Sequence, residues 1–305
     1  MNFDNIKVNL QYFLPKHILT RAVGLLAAAK MGKATTLAIK QFAKLYHINL
    51  EEMEGDVTNY PTFNDFFARP LKYNVRPIDG DAASAVFPAD GKISQFGNLK
   101  DNFQLQAKGH YFTTEALLAD EKDAACFKNG SFMTVYLSPQ DYHRVHIPFK
   151  GKLIKMTHIP GELFSVNPLY VRNIPELYSR NERVVCLFET EIGKMAVILV
   201  GAAIVRSIAT VWAGTVAPSK SGKPTITEYQ KQDFEYKKGE EIGRFFMGST
   251  VICLFEKDAV EFVKELKPEQ KVKVGEKMAK VKIKASAPKP KAGKTARTKT
   301  AKKTA

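Results

Sequence analysis

The densest group of titratable and polar side chains in this 305-residue chain is Ser138-Pro139-Gln140-Asp141-Tyr142-His143-Arg144-Val145-His146. A histidine three residues from another can supply half of a metal site or serve as a structural residue in a polar loop. No HExxH, no HxH and no carboxylate partner accompanies the pair, so no metal is expected here. The other four histidines, His17, His47, His110 and His158, are isolated. A second point is Pro88-Ala89-Asp90-Gly91, where Asp followed by Gly is an ordinary turn signal. An Asp fixed in such a turn can also orient an imidazole, as the third member of a nucleophile–base–orienter set does. The third point is Gly248-Ser249-Thr250 between two apolar runs. It does not match the GxSxG elbow of hydrolases. Gly248 has no Cβ, so its carbonyl can be approached closely, and the nearest nucleophile is the Ser249 hydroxyl. One Asp, two His and one Ser, far apart in sequence, fit a charge relay and fit separate structural roles; spacing does not choose between them.

These residues need strands to bring them together. Short β-branched runs alternate with Gly and Pro turns at Lys92–Phe96, Phe132–Leu137, Val184–Phe188, Met195–Val205, Ile208–Trp212 and Val251–Phe255. Phe132–Leu137 ends just before the histidine pair and so sets it at a strand end. A helix is expected near Thr114–Leu118, and Thr62 can cap a short helix with Asp65 at its third position. Lys238-Gly239-Glu240-Glu241-Ile242-Gly243 and Val274-Gly275-Glu276-Lys277-Met278-Ala279 are weak echoes of each other, each a Gly turn leading into a strand. Residues 1–50 read as amphipathic helices: Lys33, Lys40 and Lys44 share one face, and Ala38, Phe42 and Leu45 the opposite one. The fold class expected is α+β, with N-terminal amphipathic helices followed by a β-rich core of mostly antiparallel strands. Residues 1–50 form the helical region, 51–281 the core, and 282–305 a disordered basic tail.

Composition narrows the partners. Of the formal charge of +15, nine Lys/Arg fall in residues 282–305 without an acid, which leaves +6 for the remainder. Seven more lie between Asn5 and Leu50, again without an acid. Basic ends attract nucleic acid or an anionic phospholipid surface. A cationic face opposite an apolar one favours an interfacial membrane helix, against packing on its own domain or a signal peptide. The longest apolar run, Met195–Val205, is eleven residues, short of the roughly 20 that a membrane-spanning helix needs. Three widely spaced cysteines, Cys126, Cys186 and Cys253, make no disulfide framework and read as core thiols in a reducing compartment.

The ordered set of motifs resembles the bacterial membrane-associated phosphatidylserine decarboxylases. The strings that carry the resemblance are Thr62-Phe63-Asn64-Asp65-Phe66-Phe67, Arg76-Pro77-Ile78-Asp79, Pro88-Ala89-Asp90-Gly91, Gln106-Ala107-Lys108-Gly109-His110, Tyr136-Leu137-Ser138-Pro139, Asp141 through His146, Pro160 through Asn167, Arg180-Asn181-Glu182-Arg183 and Gly248-Ser249-Thr250. Any one is weak; the order makes the set specific. The tail after about Lys282 matches nothing in that pattern.

The resemblance implies a self-cleaving, pyruvoyl-dependent enzyme that converts phosphatidylserine to phosphatidylethanolamine in phospholipid biosynthesis. Asp90, His146 and Ser249 match the charge-relay positions. His146 would take the Ser249 proton while Asp90 holds the imidazole. The cut would fall between Gly248 and Ser249, giving a large chain, 1–248, and a small chain, 249–305, headed by pyruvate made from Ser249. His143 is the candidate proton donor for the carbanion left by CO₂, and Ser165 and Asn167 are candidate substrate contacts. The implied partners are an anionic membrane surface, phosphatidylserine, and the two chains of one precursor assembled as a dimer of heterodimers, with no nucleic acid. The implied place is peripheral, on the cytoplasmic face of the inner membrane. The competing reading is a Ser/His/Asp lipid or peptide hydrolase that keeps Ser249 intact; a non-enzymatic basic binding domain is the third.

Overall fold

In a computed structural model of the chain, residues 3–107, 109–202, 207–217, 222–246 and 249–283 are described. Three helices come first, Phe3–Phe13, Lys16–Ala27 and Lys33–Tyr46. Strands then dominate, with short helices at Phe63–Phe67, Thr114–Leu118, Glu121–Cys126, Pro168–Val171 and Leu177–Arg180. The α+β class expected from the sequence is the one observed. The basic tail from Lys284 onward lies outside the described residues.

The main sheet has nine strands. Along its path the order is Thr225–Glu228, Gly151–Ile159, Arg183–Thr190, Gly193–Val200, Ser249–Phe255, Ser131–Leu137, Gly91–Asn98 and Lys271–Val272, with Glu235–Tyr236 also on Gly151–Ile159. Neighbouring strands are antiparallel. Both faces are covered, so the central strands carry apolar side chains on both sides. One face packs on Phe87, Val145, Ile147, Ile242 and Phe245 from two smaller sheets. The other packs on Leu117, Leu118, Ile174 and Tyr178 from the short helices. Cys186 and Cys253 sit in the first core, and Cys126 is only half-buried at a helix end.

The two smaller sheets that matter for the site repeat one arrangement. Ser84–Val86 pairs with Lys277–Val281, and Arg144–His146 pairs with Glu241–Phe245. Each first strand runs through a proline, Pro88 or Pro148, into a long strand that begins with glycine, Gly91 or Gly151. The halves clasp each other: Val86 N–H donates to the Pro148 carbonyl (2.9 Å) and His146 N–H to the Pro88 carbonyl (2.8 Å). The two echoing glycine turns of the sequence occupy matching places. Phe87 N–H donates to Glu276 O and Ile147 N–H to Glu240 O, both at 2.9 Å.

Local signals hold where they are short-range. Thr62 Oγ1 accepts the Asp65 N–H at 3.0 Å and caps Phe63–Phe67 as expected. The N-terminal helices differ from expectation in which side they bury. Lys33–Tyr46 buries Thr35, Ile39 and Ala43. Ala38 and Leu45, expected on the apolar face, are exposed, Leu45 at 69%. The reason is that Ile39 and Ala43 meet Met53, Val57 and Phe66 in a small separate core. No helix among the described residues is long and apolar enough to cross a membrane.

Candidate functional site

Ser249 is the first residue of the strand Ser249–Phe255, in the middle of the main sheet. It pairs with Leu137 on one side, and the following residues pair with Val200 and Leu199 on the other. All seven residues are buried. Val251, Cys253 and Phe255 point into one core, Ile252 and Leu254 into the other. In that setting a serine is the wrong residue for packing. Ser249 is 0% exposed, and its Oγ has no hydrogen-bond partner among the described residues. Leaving a hydroxyl buried and unpaired costs about 1–3 kcal/mol, so its presence asks for a chemical reason. Gly248 lies outside the described residues.

The chain leaves Leu137 through the turn Ser138–Asp141. The Asp141 carboxylate accepts from both the Ser138 N–H (2.7 Å) and the Ser138 hydroxyl (2.6 Å), while burial pushes its pKa up. Arg69, itself buried, donates to the Gln140 and Asp141 carbonyls at 3.3 and 3.4 Å. This fixes His143, which is fully buried with its ring 4.1 Å from that of Phe67. His143 Nδ1 lies 2.9 Å from the Asp141 carbonyl. A carbonyl oxygen only accepts, so Nδ1 carries the proton and Nε2 the lone pair. That Nε2 also has no partner among the described residues. Burial pushes the His143 pKa down to about 3, which keeps the ring neutral. The carbonyl of His143 accepts the Phe245 N–H at 3.0 Å. The loop carrying His143 therefore runs from the partner of Ser249 to the partner of Phe245, and flanks both ends of the segment that leads to Ser249.

His146 sits one strand further, opposite Glu241. Its Nδ1 donates to the Gly239 carbonyl (2.8 Å), and its Nε2 accepts the Tyr142 hydroxyl (3.1 Å). Burial lowers its pKa, so it too is a neutral base. Asp90 is close in the chain path, two residues beyond the Pro88 carbonyl that accepts the His146 N–H. Its carboxylate is spent elsewhere. Arg76 Nε donates to both oxygens at 3.0 and 2.9 Å, Arg76 Nη2 donates at 2.5 Å, and the Val274 N–H at 2.9 Å. Arg76 Nη2 also reaches Glu52 at 2.7 Å.

In this arrangement no hydrogen bond joins Asp90 to the His146 imidazole among the described residues. Arg76 makes charge-assisted bonds to both Asp90 oxygens, and the Gly239 carbonyl takes the imidazole proton. Nor does any hydrogen bond join His146 to Ser249 among the described residues. The structure thus brings Asp90, His143 and His146 into one neighbourhood around the strand end, with the relay uncoupled.

Two clefts open beside these groups. One of about 220 Å³ is lined by Asp90, Asp141, Arg69 and Lys271. The other, about 460 Å³, is lined by His146, Gly239, Arg144 and Pro77. Leu71, Arg76 and Tyr142 line both. A cleft of about 490 Å³ between Lys150 and Glu240 contains none of the site residues.

Ser165 and Asn167 make no hydrogen bond to these residues among the described ones, although Asn181 ties the neighbouring Phe164 to the Gly201 carbonyl, one residue beyond the partner of Thr250. Asn167 Oδ1 accepts from the Leu169 and Tyr170 N–H groups and caps Pro168–Val171, so the side chain expected to touch substrate serves the backbone. The Ser165 N–H donates to Gln11 Oε1 (3.1 Å), and Phe164 packs on Tyr12 and under Lys16. This segment is the seat of the first two helices. Sequence reasoning missed Arg76, Tyr142, Asp141 and Gly239 as site residues. Arg76, Asp141 and Tyr142 stand in the strings that carry the resemblance and Gly239 in an echoing turn, but only for Asp141 does the spacing, Ser-x-x-Asp from Ser138, suggest the contact it makes. No group of three or more His, Cys, Asp or Glu that could hold a metal occurs among the described residues.

Comparison with known proteins addresses the same residues. The sequence profile of the family described as "Phosphatidylserine decarboxylase" matches residues 63–280, and one described as "PSD" matches residues 6–47. A protein of Shewanella sp. (strain MR-7) is 51% identical over 291 residues, 93% of this chain and 99% of its own length. One from Shewanella halifaxensis (strain HAW-EB4) is 51% identical over 284 residues, 91% of this chain and 99% of its own. One from Shewanella baltica (strain OS185) is 51% identical over 286 residues, 92% and 98%. All three are named "Phosphatidylserine decarboxylase proenzyme".

Proposed function

The chain belongs to the phosphatidylserine decarboxylase family, and from that premise we propose that it removes CO₂ from phosphatidylserine with a pyruvoyl group made from its own Ser249. The observation that carries the second part is the Ser249 hydroxyl, buried and unpartnered at the start of a strand pinned on both sides. A hydrolase nucleophile must meet an outside substrate. A hydroxyl with no exposure can meet its own chain, and the adjacent carbonyl is that of residue 248.

The chemistry balances without an external reagent other than water. Ser249 Oγ attacks the carbonyl carbon of Gly248, a base takes the hydroxyl proton, and the peptide C–N bond breaks to leave an ester and a free Ser249 amine. Loss of the Ser249 α-proton expels the Gly248 carboxylate and cuts the chain. Water then replaces the amine at residue 249, ammonia departs, and a pyruvoyl group remains. When present, that group supplies a carbonyl that condenses with the serine amine and draws off the electron pair released with CO₂.

The chain's own residues do the proton work. His146, neutral with its lone pair at Nε2, is the base for the first step once Tyr142 yields that position. Asp90 acts on it through charge and not through a hydrogen bond in the arrangement seen. His143 holds its only proton at Nδ1, so it must gain one at Nε2 before it can deliver one to carbon. The role of proton donor thereby becomes that of proton carrier.

The substrate stays in a bilayer, and the first two helices suit that. Leu10, Phe13, Ile18, Leu25 and Leu26 are exposed, Phe13 at 84% and Ile18 at 73%. Apolar side chains beside the exposed Arg21 and Lys30 favour an anionic phospholipid surface. A peripheral position on the inner membrane, pairing of the two cut chains, and a role in phospholipid biosynthesis complete the proposal.

The test is an intact mass spectrum under denaturing conditions. The expected result is two species that split between Gly248 and Ser249, the smaller ending in pyruvoyl. Ser249→Ala should give one uncut chain that releases no CO₂ from phosphatidylserine. An uncut but active Ser249→Ala protein would overturn the pyruvoyl reading.

A further inference from the structure

Asp90 lies in the bend before Gly91–Asn98 and His146 ends the strand Arg144–His146, and each is oriented by a different glycine turn. Gly239, in the turn Lys237–Glu240, gives its carbonyl to His146 Nδ1. Val274, in the turn Lys273–Glu276, gives its N–H to Asp90 Oδ1. The two turns are built alike. The Glu240 carboxylate accepts the Lys237 N–H at 2.8 Å, and the Glu276 carboxylate accepts the Lys273 N–H at 3.0 Å. Gly239 and Gly275 have φ of 81° and 88°.

One side chain lies against both. A Cβ at Gly239 would fall 2.7 Å from Ile78 Cδ1 and Cγ1, and a Cβ at Gly275 would fall 2.8 Å from Ile78 Cδ1 and 2.5 Å from the Pro77 carbonyl. Neither position leaves room for any residue but glycine. The Asp79 N–H donates to the Gly275 carbonyl at 2.9 Å and ties the same segment to the second turn. Two residues before Ile78, Arg76 makes its contacts with both Asp90 oxygens and with Glu52. Arg76 and Pro77 also line the cleft that His146 and Gly239 face.

We infer that Arg76–Ile78 is the positioning segment of the self-cleavage site: Ile78 is a wedge that sets the two glycine turns apart, and Arg76 is the clamp on Asp90, so that together they fix Asp90 relative to His146. This rests on the reading above that the two residues serve self-cleavage. Neither Arg76 nor Ile78 touches the reacting atoms in this arrangement. They act through the carboxylate and through the Gly239 carbonyl, and the stake is the placement of a base. A misplacement of about 1 Å at a reacting group costs on the order of 10²-fold in rate.

The experiment uses the full chain made by cell-free synthesis, with the cut fraction followed over time by intact mass and the fold checked by circular dichroism. Ile78→Ala should slow cutting by about 10-fold or more, while Ile78→Val, which keeps Cγ1 and Cγ2 against Gly239 and loses only the Cδ1 that meets both turns, should cut at a rate between those of Ile78→Ala and the parent. Arg76→Gln should slow cutting, and Arg76→Lys should restore part of the rate. Rescue by the conservative member of each pair separates positioning from general loss of packing. Where Ile78→Ala fails to fold, Ile78→Leu takes its place. It keeps the volume and moves the branch away from Gly239, where Ile78 Cγ2 lies 3.0 Å from the Cβ position; slow cutting in the folded variant supports the wedge. Folded variants that all cut at the parent rate overturn the inference. A parent chain that never cuts overturns the reading of the function instead.

Discussion

At the scale of single residues, the two imidazoles of the site share a state. Both are neutral, both donate through Nδ1 to a backbone carbonyl, and both keep the lone pair at Nε2. They differ in what meets it: the Tyr142 hydroxyl for His146, no described partner for His143. Self-cleavage that uses His146 as base should therefore hold its rate from pH 8 down past the ordinary imidazole value of 6.5, and fall only in more acid solution, when a cut-versus-time series is run at each pH. His146→Ala should slow cutting by about 10²–10⁴-fold. Stability carries the same sign. Below pH 6.5 the unfolded chain binds protons at these two positions that the folded chain refuses, so stability falls with pH by up to about 1.4 kcal/mol per unit and per histidine. Glu52 and Asp120, held low by Arg76 and Lys155, start to lose their contribution only near their ordinary values of 4.5 and 3.8. Asp141, pushed up by burial, works the other way. Urea midpoints of an uncut Ser249→Ala chain should thus drop between pH 7 and pH 5, and His143→Gln in that background should flatten the drop. The histidine pair was legible in the sequence because it is local. The Arg76–Asp90 bond was not, since nothing in residue spacing shows which carboxylate a distant guanidinium will choose.

At the scale of elements, the strands that sequence revealed are those whose partners bury both faces. Phe132–Leu137, Val184–Phe188 and Val251–Phe255 all fall inside strands of the main sheet. Gly151–Ile159 escaped notice because Lys152 and Lys155 interrupt its apolar pattern; Lys155 turns out to be held between Asp120 and Asp123. Arg144–His146 and Glu241–Phe245 are short, and their charges are consumed between them through Arg144 and Glu241 at 2.8 Å. Such pairs are invisible until the partner strand is known. The helices raise the opposite case, of apolar side chains that the fold leaves uncovered. Each of Phe13 and Ile18 is worth about 1.5–3 kcal/mol when buried. Phe13→Ser combined with Ile18→Ser should weaken binding to vesicles containing anionic phospholipid by at least about 10-fold in a flotation assay, with self-cleavage unchanged. Equal flotation would move the docking surface away from these helices.

At the scale of the whole molecule, the cut between residues 248 and 249 would divide a single sheet without dividing its core. Residues 249–283 supply the central strand, the edge strand Lys271–Val272 on Gly91–Asn98, and the strand Lys277–Val281 that pairs with Ser84–Val86 on one side and with Val260–Phe262 on the other. Gly239 would belong to one piece and Gly275 to the other, with Ile78 against both. The two pieces should co-elute in native gel filtration and separate only in denaturant. The strand Ser249–Phe255 takes on another meaning here. It is threaded between two neighbours from the other piece, and its seven side chains are buried on both faces. It reaches that place only because, during folding, it is an interior stretch of a continuous chain. Once cut, the molecule keeps a shape whose route of formation has been erased. Dilution from guanidinium should return the uncut Ser249→Ala chain to its folded form, whereas the cut pair must find each other as two solutes and insert one through the middle of the other's sheet. Maturation by such a cut would be a ratchet: the working form would be a record of a connection it no longer has, and unfolding it once would be equivalent to discarding it.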